Sequence, residues 1–253
     1  MTGPAHTEAA TPETRPAAGP VVSFADVRFT WPGAQAFTLS VPEFKLGPRE
    51  RLLLLGPSGS GKSTFLSLLS GIVVAQDGEV EVMGTRLGKL GGASRDRFRV
   101  EHMGIIFQMF NLLPYGSVLD NVLLPLSFSP GRRARASAPT GNPEDEARRL
   151  LAALGLEPSL ADGASAASLS TGQQQRVAAA RALIGRPEII VADEPTSSLD
   201  RDRQTQFLDL LSAELNAAGA SLVMVSHDES LAPRFDRAAR LADISLASRE
   251  EPA

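Results

Sequence analysis

Apolar and polar residues alternate from Val21 to Phe29, the period of a half-buried strand. Trp31-Pro32-Gly33 has the composition of a turn, and Phe37 to Phe44 continues as a second strand. Arg51 to Leu55 is a short apolar strand that runs into Gly56, and Ser63 to Leu69 predicts the helix behind it. Gly78 to Val82 alternates again. Residues 94–155 are more helical and more irregular. Within them, Ser129 to Pro143 is rich in Ser, Pro, Arg and Gly and predicts an exposed loop, whereas Glu144 to Leu154 carries apolar residues at helical spacing. Further on, Gly172 to Ile184 predicts a helix, Ile189 to Ala192 a buried strand, Gln204 to Leu215 an amphipathic helix and Ala220 to Val225 another buried strand. Apolar strands separated by helices predict an α/β fold whose parallel sheet is covered on both faces. No internal repeat is visible.

Composition narrows the class without naming a function. A chain of 253 residues, 43% of them hydrophobic, allows one large domain or one domain with a subdomain. The net charge of −4 gives no electrostatic footprint for nucleic acid, which is not expected as a partner. There is no cysteine, hence no disulfide and no thiolate metal site, as suits a reducing compartment. No run approaches the roughly 18–20 apolar residues of a membrane helix. Action at a membrane would therefore run through a partner. Residues 1–20 are rich in Ala, Thr, Pro and Glu, lack the features of a signal peptide and predict a disordered tail.

The first chemistry lies at Gly56-Pro57-Ser58-Gly59-Ser60-Gly61-Lys62-Ser63-Thr64, which fits the phosphate-cradling pattern G-x-x-x-x-G-K-[ST]. Glycines let the backbone turn its N–H groups inward, Lys62 reaches the β- and γ-phosphates, and Ser63 can ligate Mg²⁺. The following helix points its positive end at the phosphates. Ile189-Ile190-Val191-Ala192-Asp193-Glu194 is an apolar strand ending in two acids, which are costly to bury unless paired or metal-bound. It resembles the Walker B motif, in which Asp193 would hold Mg²⁺ and Glu194 would be the general base for the attacking water. On the phosphate loop alone a kinase or a GTPase fits equally well. No Asn-Lys-x-Asp guanine-recognition motif occurs, which counts against the GTPase.

A second segment, Leu169-Ser170-Thr171-Gly172-Gln173-Gln174-Gln175-Arg176, decides among nucleotide binders. It resembles the signature of ATP-binding cassette (ABC) ATPases, usually written LSGGQ, with Thr171 where the family usually has glycine. The resemblance covers about Val21 to Ile244. It implies a P-loop NTPase fold with a mainly parallel sheet core, an antiparallel β subdomain and a helical subdomain. The implied ATPase domain spans residues 21–246, its helical subdomain about 108–182, with a C-terminal tail at 247–253. It also implies that Trp31 stacks on adenine and that Phe107-Gln108 is the Q-loop, with Gln108 touching Mg²⁺ or the lytic water and sensing a membrane partner. Ser170, Thr171, Gly172 and Gln173, at a helix N-terminus, would act on ATP bound to the opposite subunit, so that two ATP molecules are sandwiched in a head-to-tail dimer. Ser197-Ser198-Leu199-Asp200 resembles the D-loop that crosses that interface, and Asp200 also fits a helix cap. Ser226-His227-Asp228 resembles the switch histidine, with His227 contacting the γ-phosphate; His6 and His102 have no such context.

The stretch from Met103 to Pro114, followed by Asn121-Val122, resembles the lipoprotein-release and macrolide-efflux subclass. That resemblance implies a motor subunit held at the cytoplasmic face of the membrane by a permease subunit. Residues 108–125 would receive the permease, with Phe110, Leu112, Leu113 and Tyr115 either in that interface or in the core of the helical subdomain. Related sequences serve peptide export and cell division. A soluble ABC ATPase is the alternative. One cassette and no heptad run count against the ribosomal and DNA-repair types. A subunit that binds ATP without turning it over would be expected to lack Glu194 or His227, and both are present.

Overall fold

The structure, a computed structural model, describes residues 19–33, 37–139 and 141–249. The expected tail at 1–20 lies outside the described residues except for Gly19 and Pro20. β1 (Val22–Thr30) and β2 (Phe37–Leu46) pair antiparallel, with Thr30 opposite Thr38. β3 (Arg51–Leu55) leads through the glycine-rich loop into α1 (Lys62–Leu69). β4 (Asp77–Val82) returns to pair with β1, and β5 (Thr85–Arg86) pairs with β4. α2 (Gly92–His102) gives way to β6 (Met103–Ile106). Helices α3 (Val118–Leu123), α4 (Pro130–Ser137), α5 (Pro143–Ala153), α6 (Pro158–Ala161) and α7 (Thr171–Leu183) follow. β7 (Ile189–Asp193), α8 (Arg201–Ala218) and β8 (Ser221–Ser226) come next. β9 (Arg237–Arg240), α9 (Leu241–Ile244) and β10 (Leu246–Arg249) end the described chain.

These strands make two sheets. One is antiparallel, in the order β10-β2-β1-β4-β5; the other is parallel, in the order β6-β7-β8-β3-β9. The inner parallel strands β7, β8 and β3 are mostly apolar because both of their faces are covered. Leu52 and Leu54, Ile189 and Val191, and Val223 and Val225 face the core shared with α1 and the antiparallel sheet. Leu53 and Leu55, Ile190 and Ala192, and Leu222 and Met224 face the core shared with α7 and α8. On the first side Phe65 of α1 stacks on Phe24 at 4.9 Å and meets Phe44 edge-on at 5.0 Å. Those rings fix α1 between the sheets, and the end of β3 delivers the glycine-rich loop to its start. On the second side β6 lies so close to α7 that a Cβ on Gly104 would come within 2.1 Å of the Ala182 carbonyl oxygen.

The parallel core and antiparallel sheet agree with the expected fold class, but three expectations need correction. The exposed loop expected over Ser129 to Pro143 contains α4, with Arg132 and Ala136 buried. Ser129 caps it by accepting from Arg132 N, and Pro130 opens its first turn. The irregular helical stretch at 94–155 also contains β6, the edge strand of the parallel sheet. Finally, the expected tail at 247–253 contributes Ala247 to Arg249 to β10, which pairs with Phe37 to Ser40 of β2. Residues 250–253 lie outside the described residues.

Candidate functional site

A cavity of about 660 Å³ opens where the glycine-rich loop meets the C-terminal ends of β7 and β8. Gly59 and Gly61 have φ of 77° and 102°, values that a side chain rarely permits. A Cβ on Gly61 would also lie 2.7 Å from Cζ of Phe37. The first turn of α1 carries no acidic side chain, so the positive end of the helix stays open to an anion. Lys62 is 6% exposed and curls back over the loop, donating to the carbonyls of Gly56 at 2.6 Å and Pro57 at 3.1 Å. Its Nζ also stands 3.4 Å from Oε1 of Glu194. Gly56 and Pro57 therefore serve the site through their carbonyls, while Ser58, Gly59, Gly61, Lys62, Ser63 and Thr64 line the cavity and Ser60 completes the loop.

Opposite the loop, Ser63 Oγ donates to Oδ2 of Asp193 at 3.0 Å. Burial pushes the Asp193 carboxyl above the usual carboxylate range, and neighbouring Glu194 adds to the shift; Ser63 and Lys62 oppose it. Glu194 has a φ of 45°, a left-handed value that a non-glycine residue holds only when its surroundings impose it. Its N–H is held by the Val225 carbonyl at 3.2 Å. Its Oε2 lies 2.7 Å from Nδ1 of His227, which follows the end of β8. Glu194 thus links the loop lysine to the histidine within one cavity. Gln108, just beyond β6, lines the same wall. Trp31 stands on the rim, 41% exposed, with its indole N–H donating to Thr64 Oγ1 at 3.0 Å and its ring edge-on to Phe29 at 5.1 Å.

The remaining expected residues lie outside this cavity. Ser170 and Gln173 form a reciprocal cap at the start of α7: Gln173 Oε1 accepts from Ser170 N at 2.8 Å and Ser170 Oγ accepts from Gln173 N at 3.4 Å. Thr171 is exposed and takes no part in that cap, and Gly172 lies beside Leu199. Asp200 caps α8 by accepting from Arg203 N at 2.9 Å. Phe37, which no sequence expectation placed at the site, lines the cavity, and so does Ser197 of the Ser197-Ser198-Leu199-Asp200 segment. Phe37 sits across the β1–β2 turn from Trp31, whose N–H donates to its carbonyl at 3.0 Å; that hairpin pairing was the available signal. Buried Gln175 joins α7 to the loop after β7 by donating to the Pro195 carbonyl at 2.8 Å.

Comparison with known proteins identifies the family. A family model described as ABC transporter matches residues 39–197. The lipoprotein-releasing system ATP-binding protein LolD 2 of Rhodospirillum rubrum is 40% identical over 208 residues, 82% of this chain and 86% of that protein. The uncharacterized ABC transporter ATP-binding protein YbbA of Escherichia coli K12 is 42% identical over 197 residues, 78% of this chain and 82% of that protein. Among solved structures, the dimeric post-hydrolysis state of the ATP-binding cassette MJ0796 bound to ADP and Pi aligns with a TM-score of 0.77 at 32% identity, covering 92% of this chain and 99% of that one. With its phosphate loop, paired acids and signature helix found in one fold, this chain belongs to the ABC transporter family.

Proposed function

We propose that the chain is the ATP-hydrolysing motor subunit of an ABC transporter of the lipoprotein-release and macrolide-efflux type. The observation that carries this reading is the linked set Lys62, Glu194 and His227 beside the glycine loop, with the signature residues outside that cavity. A site so divided is completed by a second subunit, whose Ser170, Thr171, Gly172 and Gln173 would close over this ATP. Asp200, at the start of α8, would stand at that junction. The name of the LolD 2 relative favours transport over a soluble or cell-division role. Among the described residues no helix is long and apolar enough to cross a membrane. Attachment to the cytoplasmic face would therefore run through a permease subunit docked at residues 108–125 of the helical subdomain.

Each side chain has a place in the reaction. The phosphate loop and the start of α1 would bind the phosphates, with Lys62 exchanging carbonyl partners for phosphate oxygens. The exposed face of Trp31 would stack on adenine. Ser63, Asp193 and Gln108 offer oxygen donors on one wall, a set that suits Mg²⁺ completed by phosphate oxygens. Bound there, Mg²⁺ would neutralise charge on the phosphates. Glu194 would take the proton of the attacking water, and His227 would hold that carboxylate and orient the water.

A titration with a fluorescent ATP analogue tests the phosphate loop. Lys62→Ala is expected to weaken binding by about tenfold or more, the worth of lost hydrogen bonds to a charged group. Specific ATPase activity of the parent chain is expected to rise with protein concentration; a flat dependence would sink the shared site. Thr171→Gly is expected to keep or raise steady-state activity, because Thr171 is exposed and the cap belongs to Ser170 and Gln173. A large loss in that variant would mean that the hydroxyl or its bulk is required.

A further inference from the structure

Near the far end of α7 from the signature residues, Arg181 is buried at 8% exposure. Ser170 and Arg181 are separated by about 16 Å along the helix axis at ~1.5 Å rise per residue. The Arg181 guanidinium donates from Nη1 to the Asn111 carbonyl at 2.7 Å and from Nη2 to the Phe110 carbonyl. These residues belong to the loop that follows Gln108. Both hold left-handed backbone, with φ of 57° at Phe110 and 49° at Asn111. Two consecutive non-glycine residues keep that conformation only where something imposes it. Phe110 is pinned by its buried ring in the helical core and by its own N–H, which donates to the Phe107 carbonyl at 2.9 Å, and the Asn111 N–H reaches back to the Met109 carbonyl at 2.6 Å. Arg181 holds Phe110 and Asn111 from the carbonyl side, and further along the loop Asn121 clamps Leu113, accepting from its N–H at 2.7 Å and donating to its carbonyl at 3.1 Å.

The arrangement constrains both partners. Burial pushes the pKa of Arg181 down, and the groups that accept from its guanidinium are the Asn111 and Phe110 carbonyls. Its charge is therefore compensated by the two loop carbonyls, and a loop that moved alone would leave a buried cation unpaired. Met109 and Tyr115, 80% and 84% exposed, stand on the outer side of the same loop.

We infer that Arg181 is a positioning residue that locks the Gln108 loop to the helix beginning at Ser170, so that displacement of the loop is delivered to the signature end as motion of one body. The inference rests on the two-subunit reading above for its consequence in hydrolysis, but the brace itself lies within one chain. Arg181→Lys keeps the charge and removes the fork that spans two carbonyls; Arg181→Met removes both.

The chain contains no cysteine, so introduced pairs can be spin-labelled cleanly. Labels at Met109→Cys and Ala167→Cys report the distance between the loop and the signature end. Labels at Glu43→Cys and Asp202→Cys report the rest of the molecule. With Arg181 present the first pair is expected to give one narrow distance distribution. In Arg181→Lys and Arg181→Met that distribution should broaden while the control pair stays narrow. In a Glu194→Gln background, the ATP needed for half-maximal dimerisation should rise about tenfold, while nucleotide binding by the monomer stays within about twofold. An unchanged Met109–Ala167 distribution in both variants overturns the inference even if hydrolysis falls. Broadening of both label pairs also overturns it, because Arg181 would then be merely structural. If the Glu194→Gln chain fails to dimerise with Arg181 in place, the two-subunit reading fails, and the label distances still decide the brace.

Discussion

Glu194→Gln is expected to bind ATP and to lose turnover by about 10²–10⁴-fold, the usual worth of a positioned general base. The substitution keeps the size and shape of the side chain. The backbone strain at φ 45° and the Val225 contact therefore remain satisfied. What disappears is the capacity to accept a proton, together with the negative charge that stands 3.4 Å from Lys62. Lys62 is then free for phosphate, so ATP affinity should hold or rise and an ATP-bound dimer should accumulate. Single-turnover hydrolysis and size-exclusion chromatography with ATP measure the two effects separately. Turnover at the parental rate would remove Glu194 as the base, whatever the dimer does.

Arg132→Met is expected to destabilise the fold by about 3–5 kcal/mol, the range for breaking a buried hydrogen-bond network and leaving several acceptors unpaired. Arg132 is 1% exposed and donates to the carbonyls of Val100 at 3.2 Å, Met103 at 3.2 Å and Ala182 at 2.9 Å, and to that of Ile184. Ala182 and Ile184 stand at the C-terminal end of α7, where main-chain acceptors lack partners within the helix. A cation there also complements the helix dipole. Burial, reinforced by nearby Arg135, pushes its pKa down to about 10, which still leaves it charged at neutral pH. Methionine replaces much of the stem and none of the donors. Urea denaturation at neutral pH reads the loss directly; an extrapolated unfolding free energy within about 1 kcal/mol of the parent's would show that water or relaxation replaces the guanidinium.

Arg132 also explains where the sequence was hard to interpret. A helix is usually recognised by apolar residues repeating along one face, and α4 has the sequence Pro-Gly-Arg-Arg-Ala-Arg-Ala-Ser with no such stripe. Its anchor is a charged residue of a kind seldom fully buried. Ser129 and Pro130 were the local signs of a helix start, but they equally suit a loop. β6 was obscured because Met103 to Ile106 is short and includes Gly104, whose lack of a side chain is what lets the strand approach α7. β9 and β10 carry Arg-Ala-Ala-Arg and Leu-Ala-Ser-Arg, which show little apolar alternation and join the sheets as edges.

The nucleotide site was far more legible, for a physical reason. Contact between a backbone and phosphate groups demands small residues and one cation at fixed spacing, so Gly59, Gly61 and Lys62 leave a local trace. The same holds for Asp193 and Glu194 at the end of a buried strand. Phe37 leaves no such trace, because its place at the cavity depends on hairpin pairing and on space vacated by Gly61. Arg181 is similarly hidden, since its partners are carbonyls 70 and 71 residues away that any sequence would supply.

The strand β10 ties residues 246–249 to the rim of the cavity. Its four residues lie against Phe37 to Ser40, the part of β2 whose first ring faces the nucleotide cavity and whose Leu39 crowds the Gly61 position. Translation ending just after Ser245 would leave the central parallel strands intact and strip the hydrogen-bonded cover from that stretch. The exposed strand edge would then be open to pairing with other chains. Loss of those residues would therefore uncover the cavity rim and a strand edge together.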